Sequence, residues 1–348
     1  MSFGREILDE PFGRAGPAAG RSGVETELNG RLRPVTFDAT PTMESKLYLF
    51  FDGLTDVGLR RLNNEDAWWI GELGGRHCFM EPGLAPLHVL LGSGGAPALL
   101  LVSDGVGGAN AGEVASQMAV NSVSRELFRA PAALADAQTA RQAIRAALQA
   151  ANTTIIAQAA SPEFDGMGAT LSLLCFAGAR EVCWGQLGDS RIYVCRQGQL
   201  RQISRDQSPV GRLRQEGKIS EADARCHPLR NQIDQSLGEP SNQFRPDAGI
   251  ESIQPGDVYL VCSDGLSDGL WDREIAEILA EVRTMADVRP AVQRLVGLAK
   301  QASGRDNITA VLGLVADPAV SGTTQNWLTK MHRLVRRWVS ADRRILRP

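Results

Sequence analysis

The chain has 348 residues, 43% of them hydrophobic and 22% charged, enough for a core in one large domain or two smaller ones. Its formal net charge of −3 gives no overall basic field, so no nucleic-acid partner is expected. No apolar run approaches the ~18–20 residues of a membrane span and the first residues lack a basic-then-apolar leader, so a cytoplasmic protein is expected.

In chain order, residues 1–45 are rich in Gly, Ala, Pro and Arg and are expected to be a disordered N-terminal extension. From 46 to 316 the pattern is denser. Short, β-branched apolar runs predict strands at 47–52, 66–71 and 98–103. Helices follow at 111–128, with Val114, Met118, Val123 and Leu127 on one face, and at 138–158, with Ile144, Leu148, Ala151 and Ile155 on one face. Strands come next at 169–177, 181–187 and 190–196. The stretch VGRLRQEGKISEADA reads as helix, turn, helix, with Ser220 as an N-cap. A strand at 258–263, helices at 272–282 and 287–302, and a strand at 307–315 complete this part. Turn-length gaps at 178–180 and 196–199 imply hairpins, hence antiparallel pairing and an α+β class.

Residues 317–325 read as a linker, and 326–348 as a separate basic amphipathic helix. There Trp327, Leu328, Met331, Leu334, Val335, Trp338 and Val339 form an apolar stripe, with Lys330, Arg333, Arg336 and Arg337 opposite. Docking on its own domain, in a partner's groove or on an anionic membrane surface all fit this pattern. The six cysteines show no CxxC spacing and read as reduced thiols.

The chemistry sits at strand ends. LLLVSDGVGG (99–108) and VYLVCSDGLSDG (258–269) both run an apolar strand into Ser-Asp-Gly. RRLNNEDAWW adds Glu65 and Asp66, QLGDSRIYV adds Asp189, and SGRDNITAVLGLV adds Asp306. An oxygen-only cluster in a chain with four histidines suits magnesium or manganese rather than zinc. Without a cation such carboxylates would repel one another and hold their protons.

The ordered set TDVGLRRLNNED, SDGVGG, GMGATLSLL, LGDSRIYV, VGRLRQEGKISEADARCHPLRN, CSDGLSDGL and GRDNIT resembles the bacterial branch of the protein phosphatase 2C family. The resemblance covers about 46–316 and implies a four-layer α-β-β-α sandwich, two stacked antiparallel sheets flanked by helices. It implies two catalytic ions, Mn2+ or Mg2+, with Asp104 bridging them. The Gly105 carbonyl and Glu65 serve one ion, and Asp264 and Asp306 the other. Asp66 holds a metal-bound water, Asp189 and Asp264 hold a third, weaker ion, and Arg61 grips the substrate phosphate. The implied reaction is removal of phosphate from phosphoserine and phosphothreonine proteins by a hydroxide between the metals, without a covalent intermediate, so Cys262 is no nucleophile. The implied partners are a phosphoprotein and its cognate bacterial serine/threonine kinase, for a protein acting as a monomer. The basic C-terminal helix is one route to the inner membrane surface. A catalytically silent binding module of the same fold, or a phosphatase for a small phosphate ester, are the alternatives.

Three places depart from the pattern or add to it. Val106 stands where many members have a histidine, leaving the general acid to a metal-bound water or to His227, which reads rather as part of the flap. That flap spans 206–240, and its charges either meet substrate or lie on a solvated face. The Gly/Pro-rich insertion 71–97 is expected at the end of the Asp66–Asp104 hairpin away from the site, as extra structure packed on the sheet or as a partner contact.

Overall fold

A strand that is apolar on both faces needs cover on both sides, and this chain supplies it in four layers. The computed structural model describes residues 46–73, 78–79, 87–92, 97–107, 111–134, 136–178, 180–240 and 242–317. The expectations for 1–45 and for the helix at 326–348, and all but the first residue of the 317–325 linker, lie outside the described residues.

The first half holds strands Tyr48–Asp56 (β1), Asp66–Glu72 (β2), Cys78–Phe79 (β3), Leu87–Leu90 (β4) and Ala98–Val106 (β5), then helices Ala111–Arg129 (α1) and Ala137–Ala159 (α2). A meander follows: Gly168–Ala169 (β6), Leu171–Phe176 (β7), Glu181–Leu187 (β8), Arg191–Arg196 (β9) and Gln199–Gln202 (β10). Helices Pro209–Gln215 (α3) and Glu221–Cys226 (α4) form the helix-turn-helix, and Ser220 caps α4 in a capping box with Asp223. The last part is Asp247–Ser252 (β11), Val258–Cys262 (β12), Asp264–Gly269 (α5), Asp272–Ala280 (α6), Met285–Ala302 (α7) and Ile308–Ala316 (β13).

One sheet runs β10-β9-β12-β13-β1-β4; the other runs β11-β8-β7-β5-β2-β3, with β6 beside β5. Every named pairing is antiparallel. Strand alternation sorts the side chains into three apolar layers. Leu99 and Leu101 pack with Ala115, Leu127, Ile144 and Leu148 of α1 and α2. Leu100 and Val102 turn the other way, to Phe51, Tyr259 and Val311 between the sheets. Leu260, Leu312 and Leu314 face Val288, Val292 and Leu295 of α7. This is why LLLV and VYLV read as continuous apolar runs: each lies in a sheet covered on both faces.

Strands β10 and β11 were not expected from sequence. Both lie at sheet edges; QLRQ of β10 has no buried residue and DAGIES of β11 only half-buried and exposed ones, so neither carries an apolar signal. The short helix after the second strand end was not expected either. Asp264 does not end in a loop but opens helix α5, with Ser263 at its N-cap.

Register brings the strand ends together. Asp66 lies opposite Asp104, and Glu72 opposite Ala98, so residues 73–97 connect at the far end of that hairpin. Within them β4 adds an edge strand to β1 and β3 one to β2. In the other sheet Asp56 lies opposite Ile308, so the segments 57–65 and 303–307 leave at one common end. Among the described residues no helix is long and apolar enough to cross a membrane.

Candidate active site

The two Ser-Asp-Gly segments share one construction. In the first, buried Ser103 donates its hydroxyl to the Thr170 carbonyl at 2.7 Å, and the Asp104 N–H donates to Thr170 Oγ1 at 2.9 Å. In the second, buried Ser263 donates to Asp66 Oδ2 at 2.7 Å and accepts from the Thr309 N–H at 2.9 Å. Each glycine is a point of closest approach. A Cβ on Gly105 would stand 2.0 Å from the Gly112 carbonyl oxygen, and one on Gly265 would stand 2.0 Å from that of Asn307. The serine ties the strand end to a neighbour, the glycine lets the next backbone press in, and the aspartate between them is fixed at the rim.

Asn307 joins the loops that carry the remaining candidates. Its amide donates to the carbonyls of Val57 and Asn63 at 3.0 and 2.9 Å, and its Oδ1 accepts from the Glu65 N–H at 2.8 Å. Next to it, Asp306 accepts from Arg61 at 2.8 Å, and Arg61 also reaches Glu65 at 3.4 Å. Asn307→Ala strips all three bonds from a buried residue and takes this partner from three backbone groups. It is expected to cost about 3 kcal/mol, read as a lower urea midpoint at unchanged slope.

The carboxylates sense one another. Asp66 is pushed up to about 6, first by burial, against the hydrogen bonds from Thr309 and Ser263. Asp104 is raised well above the usual carboxylate range by burial and then by Asp66, Asp264, Asp189 and Asp306. Asp264 is raised likewise, by burial, then Asp189, Asp268, Asp306 and Asp66. Asp189 is pushed up to about 7 by burial and then by Asp206, with Arg191 opposing. Glu65 is raised by burial, with Arg61 opposing.

Thus Glu65, Asp66, Asp104, Asp264, Asp306 and Arg61 meet at one end of the sandwich. Asp189 lines a cavity of about 60 Å³. Asp264 and Asp268 line it too, together with Arg214, Glu221 and Arg225 of the helix-turn-helix and Arg230 just after it. Arg225 lies over the Trp271 ring at 4.1 Å and donates to the Asp268 carbonyl, which joins α4 to the body.

Among the described residues, no group of three or more His, Cys, Asp or Glu side chains is placed to hold a metal ion as it stands. The donor set nevertheless fits hard divalent cations. It is all oxygen, and its carboxylates oppose one another's ionisation. Asp66 Oδ1 and Asp264 Oδ1 are buried without a hydrogen-bond partner. The Gly105 carbonyl belongs to the same strand end as Asp104.

The remaining candidates are quieter. Burial pushes the Cys262 thiol up to about 12, so it holds its proton at neutral pH. His227 Nδ1 accepts from the Leu229 N–H at 3.1 Å inside the flap turn. Val106 is half exposed beside Gly105. Sequence reasoning did not single out Asn307, Thr170, Thr309 or Asp268. Only Asp268 had a legible signal, since it stands four residues after Asp264 on the same helix face.

A family model described as protein phosphatase 2C matches residues 90–312. The serine/threonine protein phosphatase PstP of Mycobacterium tuberculosis is 34% identical over 272 residues, 78% of this chain and 46% of PstP. The chain therefore spans about half the length of that relative. The serine/threonine phosphatase stp of Listeria monocytogenes is 34% identical over 215 residues, 62% of this chain and 83% of that protein. Among solved structures, the catalytic domain of PstP in complex with two manganese ions superposes with a TM-score of 0.60 at 32% identity, covering 78% of this chain and 100% of that one.

Proposed function

Since this chain belongs to the protein phosphatase 2C family, we propose that it is a metal-dependent phosphatase acting on phosphoserine and phosphothreonine in proteins, reversing a bacterial serine/threonine kinase. The observation that carries this reading is the crowding of mutually opposed carboxylates, two with orphaned buried oxygens, beside an arginine. The residues proposed to hold Mn2+ or Mg2+ are Glu65, Asp104, the Gly105 carbonyl, Asp264 and Asp306, with Asp189 and Asp264 for a further, weaker ion. When bound, such a pair of ions supplies Lewis acidity and lowers the pKa of water toward neutrality.

The protein's own groups supply position and charge. Arg61 has five N–H donors, of which Glu65 and Asp306 engage two. That anchors the guanidinium and leaves donors for two oxygens of a phosphate, a bidentate grip that lysine lacks. Asp66 is held at Oδ2 by Ser263 and Thr309, which leaves Oδ1 to accept a hydrogen bond from the attacking water. No side chain is assigned to protonate the leaving group: Val106 carries no proton to give, and His227 is part of the flap turn, where its Nδ1 accepts from the Leu229 N–H. The proton is taken from water.

The test is hydrolysis of a phosphothreonine peptide and of p-nitrophenyl phosphate with manganese, with magnesium and with chelator. Turnover is expected only with metal, and Arg61→Ala is expected to lower kcat/KM about a hundredfold. A folded wild type that is silent with every metal would overturn the reading in favour of a binding module.

A further inference from the structure

The rim beside Arg61 has features that the chemistry above does not use. The turn at 58–60 is pressed onto the segment 304–306. A Cβ on Gly58 would stand 2.2 Å from the Asp306 carbonyl oxygen, and the Leu59 N–H donates to the Gly304 carbonyl at 2.7 Å. Arg61 and Asp306 close the same contact through their side chains. Two further guanidiniums, Arg60 and Arg305, therefore ride on these joined segments, each next in sequence to a member of the Arg61–Asp306 pair. Both are exposed, and among the described residues neither has an ion pair or hydrogen bond. Three acids here are already matched: Asp306 and Glu65 with Arg61, and Asp56 with Lys300 at 2.9 Å. On the same turn Leu62 is 98% exposed and Leu59 62% exposed.

The geometry points to a substrate-selecting rim: Arg60 and Arg305 favour phosphorylated segments with Asp or Glu flanking the phosphoresidue, and Leu62 receives an apolar side chain of the same segment. This rests on the phosphatase reading, because it takes Arg61 as the phosphate anchor. Two uncommitted positive charges on the joined segments that carry that anchor complement an acidic flank and repel a basic one. Each exposed pair is weak and screened by salt, so the selection is moderate and fades as ionic strength rises. Leu62 adds a contact whose gain comes from removing apolar surface from water on both partners.

The experiment compares kcat/KM on phosphothreonine peptides flanked by Glu, Ala or Lys, with p-nitrophenyl phosphate as the flankless control. Wild type is expected to favour the Glu-flanked over the Ala-flanked peptide about tenfold at low salt, with the Lys-flanked peptide poorest. Arg60→Gln with Arg305→Gln should bring the ratio to about one and leave p-nitrophenyl phosphate turnover unchanged. Leu62→Ala should lower kcat/KM about threefold on a peptide carrying Leu beside the phosphoresidue, and not on the small ester. Anisotropy of the same peptides, fluorescein-labelled, reads the preference without turnover. Loss of p-nitrophenyl phosphate activity in wild type overturns the phosphatase reading alone. Equal affinity for Glu- and Ala-flanked peptides, or a preference that survives both arginine substitutions, overturns the rim.

Discussion

Asp104→Asn and Asp264→Asn are each expected to lower metal-dependent turnover about 10²–10³-fold, the scale for removing one preorganised electrostatic group, while raising the melting temperature of the chelated protein. The two effects share one cause. Each aspartate sits where burial and four other carboxylates oppose its charge. An amide of the same shape removes that opposition, so the metal-free fold gains a few °C. It also removes the anionic oxygens proposed to draw two cations together, and with them the turnover. The backbone around both positions is held by other atoms: Thr170 Oγ1 accepts from the Asp104 N–H, and the N–H of Ser263, next to Asp264, donates to the Thr309 carbonyl at 3.1 Å. The fold should therefore survive, and thermal melts with circular dichroism check that it does. A variant that loses activity together with stability would point to a structural role for the carboxylate.

The legible and the hidden parts of this protein divide along physical lines. Strands β5, β12 and β13 announce themselves because burial on both faces forces unbroken apolar runs. Strands β10 and β11 do not, because an edge strand with little burial can be built from polar residues. The metal-site candidates were legible because carboxylates crowding strand ends are unusual chemistry, and the family pattern gave each a role. The residues that aim them were not. Thr309 and Ser263 meet on Asp66 from 243 and 197 residues away, and Asn307 reaches Glu65 across 242. Serine, threonine and asparagine have no patterning signal of their own at such separations. Only antiparallel register, which places Asp66 opposite Asp104 and Asp56 opposite Ile308, brings them together.

In chelator, the melting temperature is expected to fall as the pH rises from about 4 to about 7, by on the order of 10 °C, and saturating manganese is expected to flatten that slope. Asp66 titrates near 6 and Asp189 near 7 in the fold, with Asp104 and Asp264 also raised, against about 4 for an unfolded aspartate. Between those values the folded chain binds more protons than the unfolded one. Its stability is therefore full below the unfolded value and is lost as the pH climbs through the folded ones. Asp66 alone accounts for on the order of 3 kcal/mol, and because the cluster titrates as a unit the loss spreads over the window. The lowered carboxyls of Asp136, Asp223 and Asp287, at helix N-termini, pull the other way. Asp136 and Asp223 are exposed, and solvent screens their contribution. A divalent cation lets the clustered carboxylates ionise without mutual repulsion and binds only the folded state, which adds stability most where the bare protein is weakest. Melts across this pH range, with chelator and with manganese, read both slopes. A chelated protein that grew more stable with rising pH would mean that the carboxylates ionise freely in the fold, and the cluster would then have no physical reason to attract a cation.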